Sequence, residues 1–222
     1  MIATDSYVNV KPVDLNEWVY SVLRQRILEN QYSPDSQLHI ENLVEELSVS
    51  RTPIREALLR LRMEGLVRSE SRVGFFVQGI SEKDFEELFE LRSLIECYAA
   101  EKAAKHISET DIRRLREAQE KGKNAVLHKE YEMFNTYETE IHDIIISYLD
   151  NTRISNTLVT VKDTIYRQRL LSMNDVNNVL QSVEEHEKLI EAICNLNSKE
   201  AYEVMQWHIK NVEKRLLKFL ND

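Results

Sequence analysis

Proline and glycine are nearly absent from the last two thirds of this 222-residue chain. All three prolines and three of the four glycines lie before residue 80, and only Gly122 follows. Because these residues provide the turns and breaks that sheets require, their scarcity excludes a sheet-rich fold from 80 onward. We therefore expect an almost purely helical domain at 80–222, preceded by a mixed domain at 15–79 and a polar, flexible arm at 1–14.

Cysteine and long apolar runs are scarce as well. Cys97 and Cys194 lie far apart and belong to no CxxC pair, so we expect two reduced packing residues rather than a disulfide. No uninterrupted apolar run approaches the ~18 residues that a membrane span needs, and no signal segment opens the chain. These absences predict a cytoplasmic protein with no membrane partner.

Positive charge is in the minority but is concentrated in one place. The formal net charge of −9 argues against indiscriminate coating of nucleic acid. Residues 48–72 nevertheless hold six arginines against three acids. This local basic patch leaves selective binding of nucleic acid open.

The basic patch begins with a predicted helix. Ser50 or Thr52 can cap its N-terminus, Pro53 fits its first turn, and Gly65 ends it. An arginine at the N-terminal end can hydrogen-bond guanine in the major groove, whereas the alternative is a surface helix with solvated arginines. The buried face is expected to consist of Ile54, Ala57, Leu58 and Leu61.

Two β-prone runs, LVRSE at 66–70 and VGFFVQ at 73–78, predict a hairpin directly after this helix. Helices predicted at 15–30 and 40–47 complete a three-helix core, with a turn at 31–38. Three helices followed by a hairpin form a winged helix-turn-helix. The inner face of the first helix is expected to hold Trp18, Val19, Val22, Leu23 and Ile27.

The run VSRTPIREALLRLRMEGLV, followed by a hairpin that ends GFFV, resembles the GntR family of bacterial winged-helix transcription regulators. This resemblance implies that Arg51 and Arg55 contact bases and that Thr52 contacts a phosphate. It also implies a wing contact through Arg72 and Gly74.

Two positions depart from the family pattern. Glu41 stands where some relatives carry another DNA-contacting arginine, and nothing obvious replaces it. Val73 stands where many relatives have an arginine before the wing glycine, and Arg72 is its expected substitute. The operator sequence is therefore expected to differ from those of such relatives.

The second domain opens with two helix-start signals. Ser81 and Asp84 predict a capping box, and Ser108 with Asp111 repeats the pattern. The first helix is expected to run to about His106, with an apolar face formed by Phe85, Leu88, Leu91, Leu94, Ile95, Tyr98 and Ala99. Further helices are predicted at 109–127, 129–149, 153–171, 182–196 and 199–220.

This region resembles the FCD ligand-sensing domain of the FadR-like branch of the same family. The matching pieces are ELFELRSLIE at 87–96, YETEIHDIIISYLDN at 137–151, and SVEEHEKLIEAI with MQWHI at 182–209. The resemblance implies a metabolite-responsive homodimer, more often a repressor than an activator. Its partners would be a near-palindromic double-stranded DNA operator and a small carboxylate metabolite.

Three histidines and one carboxylate are the candidate metal ligands. Glu138 and His142 are four residues apart on one predicted helix, so both side chains can reach one cation. His186 and His208 lie on two other helices, and the resemblance implies that all four bind one divalent ion such as zinc, nickel or manganese. The family more often has aspartate where Glu138 stands.

The resemblance also implies an effector pocket lined by arginines. Arg92, Arg167 and Arg169 are the candidates for binding a carboxylate, although each also fits an ordinary ion pair. The remaining histidines match no family position and are expected to be solvated: His39, His106 and His128.

Two other functions stay open from the residues. A site of three histidines and one glutamate in a helical bundle can serve as a hydrolytic or redox metal centre. No further carboxylate or histidine clusters near it as a general base, and an enzyme does not need the arginine-bearing helix. The other alternative is a helical interaction module without metal.

Overall fold

A computed structural model describes residues 14–79, 81–172 and 175–221. The chain divides after Gly79 into two compact units, which are described separately. The expected fold class is confirmed, because a small winged-helix unit precedes an all-helical unit. Apart from Asp14, the predicted N-terminal arm lies outside the described residues.

The first unit consists of three helices and a small sheet. Its elements are α1 (Leu15–Leu28), β1 (Gln37–Leu38), α2 (Ile40–Leu47), α3 (Arg51–Met63), β2 (Val67–Glu70) and β3 (Gly74–Val77). Helix α1 packs on α3. The three strands are antiparallel in the order β1-β3-β2. The core beneath the sheet is apolar because it is formed by Val19, Leu23, Ile27, Ile54, Leu58, Leu61 and Val77.

Three predictions for this unit are wrong in detail. The strand β1 was expected to be part of a turn, since two residues are too few to show alternation. Trp18 was expected inside but is 39% exposed. Tyr20 is buried instead, and its hydroxyl donates to Glu64 at 2.8 Å. Ser50 is the N-cap residue of α3, but its side chain makes no capping hydrogen bond.

The end of α3 follows its sequence signal. Helical residues stop at Met63, and Gly65 adopts a φ of +75°. Glycine occupies this left-handed conformation without the steric penalty of a side chain. The chain then enters β2, which brings the wing next to α3.

The second unit is built from long helices. They are α4 (Glu82–His106), α5 (Glu109–Leu127), α6 (Tyr131–Ser147), α7 (Thr152–Ser172), α8 (Val176–Cys194) and α9 (Ser198–Asn221). Helix α4 packs along α9, α5 packs on α6, and α8 packs on α9. In the described part of the chain, no helix is long and apolar enough to cross a membrane.

The start signals of this unit are confirmed. Ser81 and Asp84 form a complete capping box, and Ser108 accepts a hydrogen bond from the backbone N–H of Asp111. Helix α8 begins earlier than predicted, because Asp175 caps a polar stretch that has weak helical character by itself. The predicted polar break at 174–178 was therefore too long, and residue 174 lies outside the described residues.

The apolar core of the second unit lies between α4 and its neighbours. Leu94 and Tyr98 were predicted on the buried face of α4, yet they are exposed. Cys97 is buried in the core and Cys194 is half-buried beside it, and both are free thiols, as expected. Other members of this core are Phe85, Phe89, Leu115, Ile141, Ile145, Leu189, Ile193, Met205, Ile209 and Leu216.

Candidate metal centre and DNA interface

The N-terminal end of α3 presents exposed polar side chains. Arg51, Thr52 and Arg55 are all exposed on the first turns of the helix. Pro53 and Ile54 are buried, so the helix is anchored through one face while the arginines stay on the other. The side chain of Arg51 is 75% exposed and lies 3.3 Å from Glu41 at the start of α2.

The other arginines of the basic patch are partly engaged inside the unit. Arg60 pairs with Glu17 at 2.7 Å, and Arg62 donates to Ser69 at 3.1 Å. Arg68 pairs with two carboxylates beside the wing. The contacts of Arg60 and Arg62 hold α3 against α1 and the sheet.

A groove of about 460 Å³ separates α3 from the wing. Arg55 and Arg72 both line it, and neither makes an ion pair or hydrogen bond to any described residue. Gly74 adopts a φ of +142°, where a Cβ would also meet the side-chain amide of Gln37 at 3.0 Å. Glycine therefore lets the wing turn close to β1 at the edge of this groove.

The four candidate metal ligands converge in the second unit. Glu138 and His142 come from α6, His186 from α8 and His208 from α9. One donor atom of each lies within 4.8 Å of all the others, and every one of these side chains is buried. Nε2 of His142 is 3.1 Å from Nε2 of His186, which is 3.8 Å from a carboxylate oxygen of Glu138.

Burial keeps the imidazoles of His142 and His186 neutral. It lowers the pKa of His142 to about 3. The positive charge of Arg169 also lowers this pKa, whereas the negative charge of Glu96 raises it. Burial also holds the pKa of His186 well below its usual range, with His208 and His142 adding to the effect. A neutral imidazole is the form that binds a metal ion.

Two further carboxylates contact the histidine cluster. Oε2 of Glu96 lies 2.6 Å from Nδ1 of His142, and Oε2 of Glu185 lies 2.7 Å from Nδ1 of His208. Burial would raise the pKa of Glu96, but Arg92 and His142 outweigh it and hold that pKa well below its usual range. Burial would also raise the pKa of Glu185.

Hydrogen bonds nevertheless lower the pKa of Glu185 to about 2, and the donors are His208 and Arg215. Both carboxylates are therefore ionised at neutral pH. An ionised carboxylate only accepts hydrogen bonds, so each faces an N–H of its histidine.

A cavity of about 190 Å³ opens beside the cluster. Arg169 lines it and donates to Thr139 at 2.8 Å. Arg92 is 1% exposed and lies 2.6 Å from Glu96, and neither Arg92 nor Arg167 is among the residues that line the cavity. Among the described residues, the cavity is lined by Glu96, Thr139, His142, Asp143, Ile146, Ser155, Leu158, Ile165, Tyr166 and Arg169.

The sequence reasoning missed Glu96 and Glu185, although both carried a signal. Glu96 lies four residues after Arg92 on the buried side of α4, where an acid is unexpected without a partner. Glu185 directly precedes His186 and shares a buried face with it. The expectation for the other histidines is confirmed, since His39, His106 and His128 are exposed.

Comparisons with known proteins agree with both units. The family model for bacterial regulatory proteins of the gntR family matches residues 15–77, and the FCD domain model matches residues 87–211. The HTH-type transcriptional repressor RspR of Escherichia coli (strain K12) is 24% identical over 200 residues, which is 90% of this chain and 88% of that protein.

Another relative and one solved structure extend this comparison. The gluconate operon transcriptional repressor of Bacillus subtilis (strain 168) is 29% identical over 176 residues, which is 77% of this chain and 72% of that protein. The crystal structure of a GntR regulator from Rhodococcus sp. RHA1 matches with a TM-score of 0.76 at 20% identity. That match covers 91% of this chain and 97% of that one, and it shows the shared fold.

Proposed function

Since this chain belongs to the GntR family of bacterial regulatory proteins and carries an FCD domain, it is a transcription regulator rather than an enzyme, and we propose that it is a repressor controlled by a small organic acid bound beside a divalent metal ion. The observation that carries this proposal is the buried set of Glu138, His142, His186 and His208 next to a cavity that contains Arg169.

The donor set fits a divalent cation. Three imidazoles and one carboxylate are ligands that zinc, nickel and manganese accept in proteins. The facing Nε2 atoms of His142 and His186 at 3.1 Å support this fit, because two ring nitrogens at that distance need a proton or a cation between them. A bound ion would supply a Lewis-acidic centre that attracts a carboxylate.

The chain's own residues would orient the acid. Arg169 is buried, and its guanidinium offers a bidentate partner to a carboxylate. Ile146, Leu158 and Ile165 give the cavity an apolar wall, while Thr139, Ser155 and Tyr166 add hydroxyl groups that suit a hydroxy acid. The gluconate operon repressor, as a relative, supports a small acid, and Arg92 and Arg167 are kept as weaker candidates for contacts with it.

In the first unit, we propose that Arg51 and Arg55 contact bases and that Thr52 contacts a phosphate. Support comes from their exposure at the N-terminal end of α3, which is the end that a helix-turn-helix inserts into the major groove. Arg72 and Gly74 would bring the wing to the adjoining backbone. One such unit covers few base pairs, so a homodimer on a near-palindrome would supply the selectivity.

Binding measurements on the purified protein test this proposal. Elemental analysis gives the metal content, and fluorescence anisotropy gives operator affinity with gluconate or with glucose as the uncharged control. We expect the purified protein to contain metal. We expect gluconate, but not glucose, to lower its affinity for the operator. Sedimentation should give a dimer. A protein that carries no metal, and whose melting temperature is unmoved by chelator or by added zinc, nickel or manganese, would contradict the metal site.

A further inference from the structure

Two of the four proposed metal ligands are hydrogen-bonded to carboxylates through the ring nitrogen that faces away from the cluster. Nδ1 of His142 lies 2.6 Å from Glu96, and Nδ1 of His208 lies 2.7 Å from Glu185. All four residues are at most 3% exposed. Water therefore does not compete for these hydrogen bonds.

Each carboxylate is itself held by an arginine. Nε of Arg92 lies 2.6 Å from Oε1 of Glu96, one helical turn away on α4. Arg215 of α9 donates to both oxygens of Glu185, at 2.7 and 3.0 Å, and Asn211 donates to Oε1 at 2.9 Å. These donors keep both carboxylates ionised and fix their orientation.

The hydrogen bonds determine which ring nitrogen carries the proton. A neutral imidazole has one N–H and one lone pair, and an ionised carboxylate can only accept. Each ring must therefore carry a proton on Nδ1, and in a neutral ring this leaves the lone pair on Nε2. For His142 this nitrogen points into the cluster, 3.1 Å from His186.

We propose that Glu96 and Glu185 are the positioning residues of the metal centre, because they fix the tautomer and ring orientation that make Nε2 of His142 and His208 the ligands. This inference rests on the proposed metal site. Without the carboxylate, a ring populates both tautomers and can rotate, and a protonated Nε2 does not bind metal.

The competing interpretation is structural. Glu96 and Glu185 would then serve only as counterions for buried Arg92 and half-buried Arg215, and their loss would lower stability without changing the histidine rings. Ring tautomers of the metal-free protein separate the two interpretations, because ¹⁵N shifts of the ring nitrogens report the position of the proton directly.

The test uses a double variant that is chosen to retain the fold. Glu185→Leu combined with Arg215→Met removes the acceptor and its cation together, and replacing a buried ion pair by apolar residues of similar size is often neutral for stability. Glu184→Leu with Lys214→Met is the matched control, since both side chains are exposed on the same two helices. Glu185→Gln keeps an acceptor oxygen without the charge.

Metal affinity is measured by titrating zinc and nickel into the metal-free proteins at about pH 8, where unperturbed histidines are neutral. We expect the double variant at Glu185 to bind roughly 10- to 100-fold more weakly, with Nε2–H appearing at His208, and Glu185→Gln to lie between it and the parent. The control pair should match the parent. Glu96→Gln should weaken binding in the same sense through His142.

These measurements distinguish a positioning role of the two carboxylates from a purely structural one. A folded double variant with parental metal affinity and an unchanged His208 tautomer would overturn the inference while leaving the metal site intact. A parent protein that binds neither metal refutes the proposed function itself. In that case the ring spectra still decide whether Glu185 fixes His208.

Discussion

The Nε2 atoms of His142 and His186 face each other across 3.1 Å in the buried interior of the second unit. Because the proton of His142 lies on Nδ1 beside Glu96, its Nε2 presents a lone pair to this contact. Either a proton on Nε2 of His186 or a cation between the two nitrogens satisfies this lone pair.

Removing one imidazole should remove the metal and lower stability together. His186→Ala is expected to lose bound metal, and the parent should be stabilised by about 2.7 kcal/mol when free metal exceeds its Kd a hundredfold. His128→Ala, at an exposed ring, is the control. Elemental analysis and melting temperature with and without chelator measure both effects. Equal metal content in the variant and the parent would contradict the ligand assignment.

The metal-free protein should become less stable as the pH falls below about 6.5. In the folded protein the pKa of His142 is about 3 and that of His186 is well below its usual range, whereas both rings gain protons near their ordinary pKa in the unfolded chain. The unfolded state therefore binds more protons in this window. The free energy of unfolding should fall by about 1.4 kcal/mol per pH unit for each such ring.

Melting temperatures measured in chelator between about pH 8 and 5 test this. His186→Asn removes one titrating group and should give a shallower decline, while His128→Asn should follow the parent. A parental melting temperature that stays flat across the range would show that the rings are protonated equally in both states.

Changing a proposed base-contacting arginine should weaken and broaden operator recognition. Arg51→Ala or Arg55→Ala is expected to cost about 1–3 kcal/mol per half-site and to relax sequence preference. Arg116→Ala, an exposed arginine of α5, is the control. Anisotropy titrations on operator and scrambled DNA at one salt concentration give both quantities. An Arg51→Ala protein that keeps parental affinity and selectivity would mean that α3 contacts DNA otherwise.

Arg169 should control the response to the acid without controlling DNA binding. Arg169→Met keeps the length of the side chain and removes its charge, so the effect of gluconate on operator affinity should be lost while affinity without gluconate is retained. Arg92→Gln and Arg167→Gln test the two other arginines in the same assay. A parental gluconate response in Arg169→Met would assign the carboxylate contact elsewhere.

Much of the fold was accessible from the sequence because its signals are local. Capping at Ser81, the end of α3 at Gly65 and the scarcity of glycine and proline after residue 80 each depend on neighbouring residues alone. The errors occur where tertiary contacts decide. Trp18 and Tyr20 both fit the helical period, and only the contact of Tyr20 with Glu64, just after α3, determines which one is buried.

In the candidate site, too, some residues could be predicted from the sequence and others could not. His142, His186 and His208 could be named because a family pattern links residues on separate helices. Glu96 and Glu185 could not, since their importance arises from hydrogen bonds to rings far away in the chain. An acidic residue on a helix is usually solvated, and only the packed structure distinguishes the exceptions.

The position of His208 on α9 sets an order of events during biosynthesis. Its three companions have been synthesised before α9 is made, but the full set of donors exists only after α9 has packed along α4 and α8. The apolar core shared by these helices contains none of the four donors. If the proposed site binds metal, all four donors can therefore hold the ion only after these helices have packed together.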